Sequence, residues 1–311
     1  MNLKRLLILN LVIALMISGA GCGRKDFSAL SDLGGLYQSS MKDVDFSLEI
    51  TGMLSEGGTG AALEEDTIQA AGSMNGGQSS NKLLRWGISR KHNNQPPDAD
   101  PGAPELLSKY NAFYIGDTSK KEVYLTFDEG YENGYTPKIL DALRDNNAKA
   151  VFFITGPYLK EHQDLVRRMV EEGHEVGNHT IHHPSLPSLG DAELEEEILG
   201  LDRVFSEKFG KHMKYLRPPK GEYSERTLAL TQKLGYCNVF WSFAYDDWNR
   251  EKIRGAQFAY DIVMRNLHNG AILLLHAVSK DNADALDMII KGIREKGYNI
   301  GDIDNIKFHN Q

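Results

Sequence analysis

Short apolar runs, each ended by polar residues and separated from the next by an amphipathic helical pattern, constrain this chain more than any other feature. The runs at 123–127, 150–154, 238–241 and 271–275 have the length of buried strands. Thr136-Pro137 reads as an N-cap followed by proline at the first helical position, with Ile139, Leu140 and Leu143 as the inward stripe. Ser188 with Asp191 reads as a capping box. Leu194, Ile198, Leu201, Phe205 and Phe209 then keep helical spacing as far as Gly210. Further helical stretches at 164–172 and 224–234 end at Gly173 and Gly235. Alternation of this kind over residues 83–311 implies one α/β domain with a parallel sheet. The pattern alone leaves open whether that sheet is flat-edged or closed into a (β/α) barrel.

Residues 1–82 have a different character. Met1–Arg5 is basic, 6–17 is apolar apart from Asn10, and Ser18-Gly19-Ala20-Gly21-Cys22 follows. Twelve apolar residues are too few to span a bilayer, which needs about 20. They fit a secretory signal occupying 1–21. The position of Cys22 is similar to that of the lipid-accepting cysteine of a bacterial lipobox, although Gly19 stands where leucine is usual. The expectation is an exported protein, held on the outer face of the cytoplasmic membrane by a lipid on Cys22 or secreted to the wall. Seven glycines fall within 51–81, and no aromatic occurs between Phe46 and Trp86. Residues 22–82 therefore read as a flexible tether, with a random-coil reach of about 45 Å. Gly57-Gly58-Thr59-Gly60 lacks the Lys-Ser/Thr of a phosphate loop and belongs to that tether.

Composition narrows the function classes. At 41% hydrophobic and 25% charged, the chain has apolar content for a core and is neither collagen-like nor wholly disordered. Two cysteines exclude a disulfide framework. The formal charge is −8, or −10 once a leader carrying Lys4 and Arg5 is removed. With no basic tract and no RNP-like motif, nucleic acid is not an expected partner.

The polar clusters sit where an α/β enzyme builds its site. Asp128-Glu129, His179-Thr180-Ile181-His182-His183, Arg217-Pro218-Pro219, Asp246-Asp247-Trp248 and His276 each follow an apolar run. The carboxyl ends of parallel strands converge on one face. His179 and His183, four apart, would aim both imidazoles at one point if the segment turned helically. With a carboxylate they would form an open two-histidine, one-acid zinc site. Hydrolysis also needs a separate base for the attacking water, and Asp128 and Glu129 can divide the two roles. His182 lies inside the same loop, while His162, His174, His212, His268, His309 and Cys237 read as structural or surface residues.

Taken in order, Thr126-Phe127-Asp128-Glu129-Gly130, His179-Thr180-Ile181-His182-His183, Arg217-Pro218-Pro219-Lys220-Gly221, Asp247-Trp248 and Leu274-Leu275-His276 resemble the five motifs of the polysaccharide deacetylases with the NodB-homology domain, carbohydrate esterase family four. Gly130-Tyr131-Glu132-Asn133-Gly134-Tyr135-Thr136, Trp86-Gly87, Tyr114-Ile115-Gly116-Asp117 and Trp241-Ser242-Phe243-Ala244-Tyr245 are similar to the delta-lactam-biosynthetic de-N-acetylases, which act on muramic acid residues of peptidoglycan, notably in spore cortex. The resemblance implies a distorted (β/α) barrel of about seven strands, a divalent metal (zinc, with cobalt or manganese as alternatives), and a peptidoglycan glycan strand as partner. It implies Asp128 as general base, Arg217 as its ionic partner, His276 as general acid and Asp247 as the orienter of His276. His179 and His183 would hold the metal, with Glu129 in the place of the family's ligand aspartate. A backbone N–H at Lys220 would meet the oxyanion, and Tyr223, Trp248 and Leu274 would wall the acetyl pocket.

Three positions depart from that pattern. Glu129 is one methylene longer than aspartate, a displacement of about 1.3 Å where ligand distances tolerate about 0.2 Å. Ala244 stands where many members have another aspartate. Lys220 replaces the usual tyrosine, and its ammonium could face the lactyl carboxylate of muramic acid or simply be solvated. The expected activity is N-deacetylation of peptidoglycan amino sugars. The alternatives are N-acetylglucosamine polymers, chitin oligomers or acetylated xylan as substrate, or a carbohydrate-binding lipoprotein impaired by the change at Glu129.

Overall fold

The computed structural model describes residues 79–91 and 93–306. The expected signal segment, Cys22 and most of the tether lie outside them. Among the described residues no helix is long and apolar enough to cross a membrane.

The strands are β1 (Leu84–Arg85), β2 (Ile88–Ser89), β3 (Asp98–Ala99), β4 (Ala112–Phe113), β5 (Glu122–Glu129), β6 (Ala150–Ile154), β7 (Glu175–Asn178), β8 (Tyr215–Leu216), β9 (Glu222–Tyr223), β10 (Cys237–Val239), β11 (Ala271–His276) and β12 (Asn299–Ile300). The helices are α1 (Ala103–Lys109), α2 (Thr136–Asp145), α3 (Gly156–Glu161), α4 (Gln163–Glu171), α5 (Asp191–Phe209), α6 (Glu225–Lys233), α7 (Ala256–Asn266) and α8 (Lys280–Glu295). Seven strands form a parallel sheet in the order β11-β5-β6-β7-β8-β10-β4, and β12 pairs with the start of β5. The sheet curls into a half-barrel wrapped by helices. Beyond β10, Phe243 forms a parallel bridge to Leu273, bringing the chain that carries Asp247 against β11. The expected distorted barrel of about seven strands is what the chain forms.

Side-chain alternation along β5 explains both layers. Val123, Leu125 and Phe127 pack into the large cluster with Leu140 and Leu143 of α2 and Leu286 and Ile290 of α8. Tyr124, Thr126 and Asp128 point the other way, into the curl. Strand β6 is buried on both faces, with Phe152 and Phe153 each 0% exposed, and so reads as an unbroken apolar run. Gly177 on β7 lets that strand pass the Phe153 ring, since a Cβ there would lie 2.5 Å from a ring carbon.

Two expected caps differ. Helix α2 begins at Thr136 itself, and the Glu132 carboxylate accepts from the Thr136 backbone N–H at 3.3 Å. Helix α5 starts after Gly190, whose N–H is taken by Glu193 Oε2 at 3.0 Å. Ser188 instead lies in a short 3-10 turn and donates to the Ser185 carbonyl. Both shifts arise because a carboxylate inside or before the first turn can satisfy an orphan N–H as well as a hydroxyl can.

Candidate active site

Asp128 and His276 occupy the same register on adjacent parallel strands, β5 and β11. That register sends both side chains to one face at the carboxyl end of the sheet. Below them on β11, Leu274 keeps the same parity and is 5% exposed.

Each of the two is oriented by a buried partner. Arg217, at 0% exposure, donates from Nη1 to Asp128 Oδ1 at 2.7 Å, from Nη2 to Thr126 Oγ1 at 2.8 Å and from Nε to the Val239 carbonyl at 3.1 Å. Its guanidinium lies 4.2 Å from the centre of the Phe153 ring. Burial alone would raise the Asp128 pKa, but the charges of Arg217, His179 and His276 hold it below the ordinary aspartate value. His276 Nδ1 lies 2.9 Å from Asp247 Oδ1, while its backbone N–H donates to Asp247 Oδ2 at 2.7 Å. Burial would lower the His276 pKa, but the Asp247 charge and hydrogen bond, with help from Asp128, raise it. Asn282 on α8 donates to Asp247 Oδ2 at 2.5 Å and is itself held by the Tyr245 hydroxyl.

The two histidines do converge, though not through a helical turn. Residues 179–183 form a loop in which Thr180 (φ 67°) and His183 (φ 57°) are both left-handed. Asn178 Oδ1 takes the Thr180 N–H at 2.8 Å, and Thr180 Oγ1 takes the His183 N–H at 2.9 Å. The result sets His179 Nε2 and His183 Nε2 3.1 Å apart. His179 Nδ1 lies 2.8 Å from the Arg217 carbonyl, which can only accept, so Nδ1 carries the proton and Nε2 the lone pair. Burial lowers the pKa of both rings, His183 to about 3, so both are neutral near pH 7. Two neutral nitrogens brought this close are the donors that would hold a shared divalent cation. Asp128 Oδ2 stands 3.5 Å from His179 Nε2.

Glu129 does not join them. It follows Asp128 on a regular strand, pairs in register with Ile154, and so faces the helices. Its side chain is 0% exposed, and neither carboxylate oxygen has a hydrogen-bond partner. Among the described residues no group of three or more His, Cys, Asp or Glu is arranged around a metal position. The expected third ligand is therefore corrected: a strand's two-residue period cannot turn adjacent side chains to one point. Burial, then the charges of Glu132 and Asp128, push the Glu129 pKa well above its ordinary value. A raised folded pKa means that stability falls as pH rises above the unfolded value. Glu129→Gln is expected to stabilise the protein by about 1 to 3 kcal/mol near pH 8, with a smaller gain near pH 5, in urea melts.

Tyr223 is likewise reassigned. It is 2% exposed and packs on Phe240, ring centres 5.0 Å apart, in a small side core with Trp86 and Leu228. Trp248 is 57% exposed in the loop after Asp247, and Lys220 is exposed and close enough to His183 for its charge to lower that ring's pKa. His182 turns outward to Glu197, 2.7 Å from Nδ1. Thr126 and Asn282 complete the site without having been singled out from sequence. Thr126 had a signal in its parity with Asp128, while Asn282 had none, because it lies in the first turn of α8 and reaches Asp247 across 35 residues. A cavity of about 570 Å³ lined by Lys121, Lys296, Asn269 and Tyr298 opens at the opposite rim, away from all these groups.

Comparison with known proteins bears on the family and the fold. Residues 115–239 match the family model described as polysaccharide deacetylase. An uncharacterized 30.6 kDa protein of Geobacillus stearothermophilus is 50% identical over 228 residues, 73% of this chain and 86% of that one. The peptidoglycan-N-acetylmuramic acid deacetylase PdaA of Bacillus subtilis is 44% identical over 232 residues, 74% of this chain and 88% of that one. The solved structure of B. subtilis PdaA, described as a family 4 carbohydrate esterase, superposes with a TM-score of 0.72 at 44% identity, covering 75% of this chain and all of that one. With the ordered motifs, the half-barrel and these relatives in agreement, the chain belongs to the polysaccharide deacetylases, enzymes of carbohydrate esterase family 4.

Proposed function

We propose that this protein removes N-acetyl groups from amino sugars of peptidoglycan, with muramic acid residues as the preferred sites, on the route to muramic delta-lactam. The observation that carries the reading is the shared register of Asp128 and His276, each locked by a buried partner beside the imidazole pair. The 44% identity to PdaA supports the substrate class.

In this reading Asp128 takes a proton from the water that attacks the acetyl carbon. Arg217 keeps that carboxylate ionised and aimed. His276, protonated and held by Asp247, delivers a proton to the departing amine nitrogen. The backbone N–H of Lys220 meets the developing oxyanion. His179 and His183 would hold a divalent cation, zinc first and cobalt or manganese as alternatives, which supplies Lewis-acid polarisation of the acetyl carbonyl. Leu274 borders the acetyl methyl and Trp248 the sugar face. The Lys220 ammonium faces the lactyl carboxylate, which muramic acid has and glucosamine lacks. An exported enzyme, with or without a lipid on Cys22, would meet this substrate in the wall.

Acetate release from peptidoglycan tests the proposal. Purified full-length protein should release acetate from peptide-free strands faster than from peptide-bearing ones. Chelation should abolish release, and Zn²⁺, Co²⁺ or Mn²⁺ should restore it. No release from any amino-sugar polymer after metal addition would leave a sugar-binding protein. Lys220→Ala should lose about tenfold in kcat/KM on muramic acid strands and under twofold on N-acetylglucosamine oligomers. An equal loss on both removes the muramic acid assignment.

A further inference from the structure

The loop that carries Lys220 is closed by the Gly221 N–H to the Pro218 carbonyl at 3.1 Å and by the Glu222 N–H to the Pro219 carbonyl, and it is held further by a segment distant in sequence. Lys220 (φ 60°, ψ 8°) and Gly221 (φ 64°) are consecutive left-handed residues. Glycine enters that region freely, whereas lysine does so at an energetic cost that the surroundings must offset. Beyond those local bonds, the turn is held by a segment outside the region that the family model matches. The Trp86 backbone N–H donates to the Gly221 carbonyl at 2.8 Å, and its indole Nε1–H donates to the Trp241 carbonyl at 2.9 Å. Strand β1 pairs antiparallel with β9, Leu84 opposite Tyr223 and Arg85 opposite Glu222. Gly221 is wedged so tightly that a Cβ would stand 2.8 Å from the Trp241 ring and 3.2 Å from Trp86 Cβ. Trp86 is itself anchored, 7% exposed, with ring centres 4.8 Å from Tyr114 and 5.0 Å from Phe240. The same loop begins at Arg217, whose carbonyl fixes the His179 tautomer.

We propose that Trp86 is a positioning residue for catalysis: it clamps the Lys220–Gly221 turn in its left-handed conformation and so aims the Lys220 N–H at the acetyl oxyanion. The proposal rests on the reading of the site as an amide hydrolase in which that N–H is the oxyanion donor. It makes the stretch around Leu84–Trp86 part of the active site. A donor needed only in the transition state affects kcat more than KM.

Trp86→Phe keeps an aromatic ring in the side core and the backbone N–H to the Gly221 carbonyl, and removes the indole bond to the Trp241 carbonyl that fixes where that N–H stands. In the full chain it should lower kcat about tenfold with KM within twofold. Lys220→Gly removes the strain that the clamp holds, so in a Lys220→Gly background the same Trp86→Phe change should cost under twofold. Equal cost in both backgrounds, or a loss confined to KM or to melting temperature, overturns the proposal. A second readout is independent of activity. The Lys220 amide resonance should move in Trp86→Phe and hold still in Leu83→Ala, a change at an exposed neighbouring side chain. If the wild type releases no acetate, the functional reading fails on its own. The clamp is then judged by that resonance alone, and an unmoved Lys220 amide refutes it.

Discussion

Asp128→Asn is expected to lower the rate of acetate release about 10³-fold at pH 7, with little change in KM. Asparagine keeps the shape that Arg217 grips but cannot accept a proton from water, and a positioned base contributes about 10² to 10⁴-fold. The pH profile of the wild type carries the same assignment. The base must be ionised, so activity should fall as pH drops through an Asp128 pKa held below the usual carboxylate range. The acid must be protonated, so activity should also fall as pH rises through a His276 pKa lifted above its ordinary value by Asp247. A variant retaining a tenth of the wild-type rate would remove Asp128 as the base.

Arg217→Met is expected to destabilise the fold by about 3 to 5 kcal/mol, the effect of stranding a buried charge when its partner is removed. The guanidinium has no exposure, and it bonds to Asp128, Thr126 and the Val239 carbonyl together. The sign of the pH dependence follows from Asp128. A carboxyl whose folded pKa lies below the unfolded one adds stability that is present above the unfolded value and is lost as pH falls through the folded value. Losing Arg217 reverses that shift, because burial then dominates. The gap between wild type and variant should be widest near neutrality and narrow toward pH 3 in urea melts. A gap constant across that range would mean that packing against Phe153, not the ion pair, is the source.

Much of the site was legible because its residues sit at strand ends, and strand ends are visible as the points where apolar runs stop. Asp128, His179, Arg217, Asp247 and His276 come together as expected. Glu129 was misplaced for a reason of the same kind. The resemblance puts it in a ligand's place, while β5 continues through position 129 and its pleat sends Asp128 and Glu129 apart. Tyr223 was drawn to the acetyl pocket by its neighbours in the chain, yet pairing of β9 with β1 turns it into a side core. The helical turn expected between the histidines is replaced by two left-handed residues, held by side-chain hydroxyl and amide groups that no periodicity reveals.

The sequence by itself determined the parallel α/β architecture, the family and the placing of the polar clusters at strand ends. Each of these depends on local periodicity or on side-chain chemistry, which travel with the chain. Tertiary structure alone decided that the imidazoles meet at 3.1 Å, that Glu129 is buried facing the helices, and that Asn282 and Trp86 bond to Asp247 and Gly221 across 35 and 135 residues. Those outcomes follow from strand register and long-range hydrogen bonds, whose partners are distant in sequence and carry no mark of one another until the sheet has curled.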